Sequence, residues 1–167
     1  MDVFFDTEFS EIDPHAAPAR LISIGCVAQD GREFYAELND SSDTAGCSEF
    51  VVDTVLPLLE GGAYLMTEAE LAVRLREWIE GLTDEMVIFR SDSVRHDWHW
   101  VVELFQNHGE FPKNLRPKCG EMYFNHDDQA RKFQDGFAKY WVTNYKRMHH
   151  ALVDARSLHF AWEAAIR

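Results

Sequence analysis

An apolar segment that runs directly into two carboxylates places the strongest constraint on this fold. Residues 3–9 read Val-Phe-Phe-Asp-Thr-Glu-Phe, and the first three have high strand propensity. Side chains alternate across a strand, so Asp6 and Glu8 share one face while Thr7 points to the other. Two carboxylates on one face repel each other unless a cation lies between them. The segment predicts a first strand that ends in a divalent-metal site; the alternative is that both acids begin a solvated loop.

Two further strands are predicted to follow. Leu21–Ala28 is an apolar run, Asp30 and Gly31 form a tight-turn pair, and Glu33–Leu38 again has strand character. Residues 10–20 contain two prolines and are predicted to form a loop. The chain therefore opens with three strands, the last two of which form a hairpin.

The middle of the chain predicts a helix, a short strand and a second helix. Thr67 and Glu70 have capping-box spacing, and apolar residues then recur at helical spacing up to position 82. Residues 86–89 are predicted to form a short buried strand, and residues 96–108 a helix closed by Gly109.

Two more acids are predicted to face inward near the starts of helices. Asp97 shares a face with the apolar residues of the helix over residues 96–108, although an N-cap role is the competing explanation. Asp92 lies just before this helix and is the reserve candidate for the same role. Asp154 lies on the apolar face of a final helix. His149, five residues earlier, is too far round a helix to share that face and must act from the preceding loop.

Length and charge restrict the class of protein. The 167 residues, 46% of them hydrophobic, predict one domain over residues 1–167. The net charge of -13 argues against a nucleic-acid coat protein, although residues 111–150 hold eight Lys and Arg against four Asp and Glu, a net of +4. Aromatic residues interleave with these cations, which is typical of a stacking surface for bases, but core packing is the favoured interpretation.

The remaining composition predicts a cytoplasmic protein. The three cysteines are an odd number without C-x-x-C spacing, which indicates neither a disulfide framework nor a zinc site. No basic leader precedes the first strand, and no apolar run approaches the ~20 residues that span a bilayer. We therefore expect no membrane partner.

Clustered acids beside a histidine suit one kind of chemistry. Mg²⁺ prefers hard oxygen ligands and keeps several waters. Two such ions about 4 Å apart promote in-line displacement at phosphorus, and a histidine with a near-neutral pKa accepts the proton of the attacking water. The pattern predicts metal-assisted phosphodiester hydrolysis.

The order of the motifs resembles the DEDDh 3′-5′ exonucleases, and most closely their small bacterial exoribonuclease branch, which is similar to RNase T and oligoribonuclease. The matching residues are Asp-Thr-Glu-Phe at 6–9, Asp97 opening a helix after a short strand, and His-His-Ala-Leu-Val-Asp-Ala at 149–155. The middle motif departs from the family pattern. Ser-Val-Arg-His precedes Asp97, where the family has a small or amide residue and an aromatic one. Because of this departure, Asp92 stays an alternative to Asp97 as the acid of the middle motif.

The resemblance implies an RNase H-like α/β fold, a mixed sheet with three leading antiparallel strands flanked by helices. It also implies that Asp6, Glu8 and Asp154 hold Mg²⁺ or Mn²⁺, with two ions expected, and that Asp97 contributes directly or through water.

The same resemblance assigns the remaining roles. His149 would be the general base, with His150 as the alternative, and Phe9 would stack near the terminal nucleotide. The implied enzyme is an exoribonuclease that releases nucleoside 5′-monophosphates from RNA 3′ ends. The alternatives are an exonuclease for DNA, with single-stranded DNA as partner, and a non-catalytic nucleic-acid-binding scaffold of the same fold. Dimers occur in the family, so a homodimer is an alternative to a monomer by analogy.

Overall fold

The computed structural model describes residues 1–12, 18–40 and 43–167. Its strands are β1 (Asp2–Phe9), β2 (Leu21–Ala28), β3 (Glu33–Leu38), β4 (Leu65–Met66), β5 (Ile88–Ser91) and β6 (Gly120–Glu121). Its α-helices are α1 (Glu68–Glu80), α2 (Val94–His108), α3 (Asp127–Asn144) and α4 (Ala151–Ile166). Shorter helical turns cover Val51–Val55, Leu56–Leu58, Gly62–Tyr64 and Tyr145–Arg147. Residues 13–17 of the predicted first loop lie outside the described residues.

The strands form one mixed sheet in the order β4-β3-β2-β1-β5-β6. Strands β1, β2 and β3 pair antiparallel, and β5 runs parallel to β1 on its other side. Gly31 has a φ of 88° in the turn between β2 and β3, a left-handed conformation that suits glycine. The predicted mixed sheet with three leading antiparallel strands is confirmed.

Helices cover both faces of the sheet, and alternation along β1 divides its side chains between them. Val3 and Phe5 join the main core beneath α1 and α2. Phe4 faces the other way, where its ring lies 5.7 Å from that of Trp162 in α4. Asp6 and Glu8 follow Phe4 in the alternation and therefore lie on the α4 side, whereas Thr7 lies on the α2 side.

The predicted capping box at the start of α1 is present. Thr67 Oγ1 accepts a hydrogen bond from Glu70 N at 3.2 Å, and Glu70 Oε2 accepts one from Thr67 N at 2.8 Å. These bonds satisfy two backbone N–H groups that the helix itself leaves unpaired.

Two predicted boundaries in the middle of the chain are wrong. The strand lies at Ile88–Ser91 instead of residues 86–89, because its parallel pairing sets Ile88 opposite Asp2. Helix α2 begins at Val94, two residues before the predicted start, because Ser93 O accepts hydrogen bonds from the backbone N–H groups of residues 96 and 97.

The basic and aromatic segment contributes β6 and α3. Phe133 of α3 is buried and packs with Phe124 and Phe137 beneath α4, as the core interpretation predicts. Tyr123 and Tyr145 are instead exposed. Within the described residues, no helix is both long and apolar enough to cross a membrane.

Candidate active site

A glycine on β2 lets the start of α4 lie against the acids of β1. Asp6 is paired in register with Gly25. A Cβ atom at position 25 would lie 2.2 Å from Leu152 N, so only glycine allows the first turn of α4 to approach the sheet this closely. The same turn carries Asp154, which is thereby placed beside the face of Asp6 and Glu8.

Asp154 and His149 are linked through the backbone. The His149 N–H donates a hydrogen bond to Asp154 Oδ2 at 3.1 Å. His149 has a φ of 69°, a left-handed conformation that is uncommon for residues other than glycine. Among the described residues, Asp154 Oδ1 is buried and has no hydrogen-bond partner. One carboxylate oxygen is therefore used to hold the loop, and the other is left for a ligand.

Asp97 reaches the same edge from the opposite face of the sheet. Its Oδ1 accepts hydrogen bonds from Thr7 Oγ1 at 2.7 Å and from Thr7 N at 3.3 Å, and its Oδ2 accepts one from Ser91 Oγ. The side chain is only 2% exposed. Asp97 is therefore not the N-cap of α2, which is Ser93; its carboxylate is instead oriented by β1 and β5.

The acids form two compact groups of oxygen and nitrogen donors. Ligand atoms of Asp6, Asp92 and Asp97 lie within 4.8 Å of one another. Those of Glu8, His149 and Asp154 do the same. Asp92 is exposed, in contrast to the buried Asp97. The structure thus brings together all four predicted acids, the predicted histidine and the reserve acid.

Burial and mutual repulsion perturb these carboxyl groups strongly. Burial, followed by repulsion from Asp97, Glu8 and other acids, raises the pKa of Asp6 well above its ordinary value. Burial and the Asp154 and Asp97 charges raise the pKa of Glu8 to about 8. Burial raises the pKa of Asp154 to about 7, although the hydrogen bond from the His149 N–H partly opposes this rise. Such a cluster is poorly stable as free anions and suits a counter-charge.

The donor set fits a divalent cation. Carboxylate oxygens are the ligands that Mg²⁺ and Mn²⁺ prefer, and the unpartnered Asp154 Oδ1 supplies a buried oxygen that needs a charge or a donor. The hydrogen bonds from Thr7 and Ser91 orient Asp97 in the way that outer groups orient metal-binding carboxylates.

The site opens into a cavity of about 510 Å³. The reserve acid Asp92 does not lie in its wall, whereas all the favoured site residues do: Asp6, Glu8, Phe9, Asp97, His149 and Asp154. The alternative base, His150, is instead 2% exposed and stacks on Tyr35, with ring centroids 4.6 Å apart. The cavity is large enough for a nucleotide-sized ligand.

Sequence reasoning missed Phe50 and His96, which line this wall, and Trp100, which lies beside Phe9 outside it. Phe50 contacts His149 edge to face at 4.9 Å and is 52% exposed. Next to Phe9, the rings of Trp100 and His96 lie at 5.9 and 6.3 Å. Phe50 was not predictable from the sequence, because it lies in a segment without clear periodicity. Trp100 and His96 could be placed near Phe9 only once the start of α2 is known.

Comparisons with known proteins identify relatives and structural neighbours, although no family model matches the sequence. Two 3′-5′ exoribonucleases of Mycobacterium tuberculosis, from strains CDC 1551 / Oshkosh and ATCC 25618 / H37Rv, are each 38% identical over 161 residues. The aligned part covers 93% of this chain and 88% of each relative.

Solved structures of exonuclease I share the fold. One exonuclease I structure matches 95% of this chain with a TM-score of 0.57 and 14% identity. The Escherichia coli enzyme in complex with a dA16 oligonucleotide matches 95% with a TM-score of 0.55 and 12% identity. The chain spans 39% of the length of each of these larger proteins.

These findings confirm the RNase H-like prediction and the exonuclease resemblance. The fold rests on the exonuclease I structures, and the family rests on the two bacterial relatives. With 38% identity across 93% of its length, the chain belongs to the 3′-5′ exoribonucleases.

Proposed function

We propose that this protein is a metal-dependent 3′-5′ exoribonuclease that hydrolyses the terminal phosphodiester bond of RNA and releases nucleoside 5′-monophosphates. One observation carries the proposal. Acids from β1, α2 and α4 meet His149 in the wall of a single cavity, although they are up to 148 positions apart in the chain, as Asp6 and Asp154 are. Family membership supports the same activity.

Two divalent ions, Mg²⁺ or Mn²⁺, are proposed to bind in this cavity. Asp6, Glu8 and Asp154 would hold them, and Asp97 would contribute directly or through water. Bound divalent ions neutralise the substrate phosphate and stabilise the charge that develops on its oxygens. Asp97 is preferred to Asp92 for the middle motif, because it is buried and oriented by two neighbours whereas Asp92 is exposed.

His149 is proposed as the general base. Burial lowers the pKa of its imidazole, so the ring is neutral at pH 7 and able to accept a proton. It would take the proton of a water whose oxygen bonds to the terminal phosphorus. The bond from that phosphorus to the 3′ oxygen of the preceding nucleotide then breaks, and this oxygen takes up a proton.

The substrate is proposed to be the 3′ end of RNA, with the terminal base near Phe9. Phe9 lines the cavity and has Trp100 and His96 beside it, so an unpaired base has aromatic faces within reach. Single-stranded DNA is the competing substrate. One domain over residues 1–167, a homodimer and a cytoplasmic location stay predictions.

Labelled substrates test the function directly. Purified protein is incubated with 3′-labelled and 5′-labelled RNA in Mg²⁺ or Mn²⁺, with and without EDTA, and with matched DNA. We expect early release of labelled mononucleotide from the 3′-labelled strand, stepwise shortening of the 5′-labelled strand and complete inhibition by EDTA. Asp154→Asn should abolish release, and Glu163→Gln, on the same helix, should not. Equal or faster digestion of DNA would assign the enzyme to DNA ends, and activity that survives EDTA would refute the metal mechanism.

A further inference from the structure

The segment that carries His149 needs an external constraint. Residues 148–150 connect the helical turn Tyr145–Arg147 to α4, and His149 holds a left-handed φ of 69°. A non-glycine residue in this conformation is strained and persists only where its surroundings enforce it. The bond from His149 N–H to Asp154 fixes one side of the loop, but it does not hold the residues that flank His149.

Glu60 contacts both flanks of this loop. Its Oε1 accepts a hydrogen bond from Arg147 Nη2 at 2.7 Å and lies 3.2 Å from His150 Nε2. Glu60 is 87 and 90 positions away from these residues in the chain. A single carboxylate therefore ties together the residues two before and one after His149.

The contact with His150 has a defined direction. A carboxylate only accepts hydrogen bonds, so His150 Nε2 must carry the proton that faces Glu60. The ring is 2% exposed and stacked on Tyr35 at an interplanar angle of 22°. Because the ring is enclosed on its face and bonded at its edge, His150 serves as a fixed anchor for the backbone of its neighbour.

Glu60 is itself held by a buried acid. Glu37 is 0% exposed and accepts hydrogen bonds from the backbone N–H groups of Glu60 at 2.7 Å and Gly61 at 2.9 Å. Its Oε1 also accepts one from the Tyr35 hydroxyl at 2.7 Å. The chain of contacts thus leads from the interior of the sheet, through Glu60, to the loop at the cavity wall.

We propose that Glu60 is a positioning residue, which holds His149 in the cavity by clamping Arg147 and His150. Glu60 is absent from the residues that line the cavity, so its effect passes through the loop. The effect on turnover rests on the proposed nuclease function, whereas the effect on the loop conformation does not.

Steady-state kinetics test the effect on turnover. We expect kcat of Glu60→Ala to fall about 10- to 100-fold with KM within about twofold, because a base displaced by about 1 Å loses its reactive geometry. Glu60→Gln should recover most of the loss, since its amide oxygen still accepts both bonds. The matched control is Glu33→Ala, which breaks a salt bridge of the same length, 2.7 Å, between β3 and Arg156 of α4 and should leave kcat unchanged.

Amide hydrogen exchange gives a readout that does not depend on nuclease activity. In metal-free protein, the His149 amide should exchange about tenfold faster in Glu60→Ala than in wild type or Glu33→Ala, because the loop opens more often. Arg147→Ala, which removes one arm of the clamp, should show the same two effects and carries the test if Glu60→Ala does not fold. The proposal is overturned if kcat and the His149 exchange rate of Glu60→Ala stay within twofold of wild type. It is also overturned if kcat of Glu33→Ala falls as much as that of Glu60→Ala. If the wild-type protein has no nuclease activity but the His149 amide still exchanges faster in Glu60→Ala, the proposed function is refuted and the positioning role of Glu60 is supported.

Discussion

Neutralising Glu8 should stabilise the metal-free protein while it destroys activity. Glu8 is 9% exposed, and burial together with the Asp154 and Asp97 charges raises its pKa from 4.5 to about 8. Between these two values the folded state binds more protons than the unfolded state, so the free energy of unfolding falls as pH rises. Above about pH 8 the full cost of the buried charge is present, and Glu8→Gln removes it.

The size of the effect follows from the pKa of Glu8. At about 1.4 kcal/mol per pKa unit, the rise from 4.5 to about 8 corresponds to an upper limit of about 5 kcal/mol at pH 8.5. Burying a neutral amide offsets part of this gain, so a stabilisation of about 2 kcal/mol or more is expected. For a chain of this size, that raises Tm by roughly 4–8 °C. At pH 5.5 the same calculation gives an upper limit of only about 1.4 kcal/mol, which the cost of burying the amide cancels, so no net stabilisation is expected there.

Thermal unfolding in EDTA at both pH values measures this difference. Glu110→Gln, at an exposed position, is the control and should leave Tm unchanged at either pH. Addition of Mg²⁺ or Mn²⁺ should raise Tm of wild type more than that of Glu8→Gln, because ion binding stabilises the folded state by linkage. A lower Tm of Glu8→Gln at pH 8.5, or an equal change at both pH values, would refute the view that Glu8 is a repelled, buried carboxylate.

Three further variants test other parts of the site. His149→Ala should lower kcat at least 100-fold while divalent-ion affinity, measured by calorimetry, stays within about threefold; a large loss of affinity would instead make His149 a ligand. Asp97→Asn should weaken ion binding about tenfold or more and Asp92→Asn less than threefold, and the reverse order would assign the middle motif to Asp92. Gly25→Ala should cost about 3 kcal/mol in denaturant unfolding, because its Cβ would lie 2.2 Å from Leu152 N; a cost below about 1 kcal/mol would show that α4 moves away easily.

Elements with a strong local pattern were predictable from the sequence. The first three strands and the capped helix α1 rest on alternation, a turn pair and a capping box, which act over a few residues. The boundaries of β5 and α2 were not predictable in the same way. Pairing with Asp2 sets the position of β5, and the backbone of Ser93 starts α2.

His149 and His150 also show the difference between what the sequence predicts and what only the tertiary structure sets. The spacing to Asp154 favours His149 over its neighbour His150 as the base, but it does not predict where either ring lies. The tertiary structure places the rings: Tyr35 and Glu60 enclose His150, whereas His149 lies in the cavity wall.

The sequence by itself determined which chemistry is available: acids on alternate positions of a strand, an acid on the inward face of each of two helices, and a histidine five residues before the last acid. Only the tertiary structure decided that these groups meet. Gly25 allows the start of α4 to lie against the sheet, and a hydrogen bond from Thr7 holds Asp97 at the site from the opposite face. Contacts between residues about 90 or more positions apart depend on packing across the whole sheet, which no local pattern encodes.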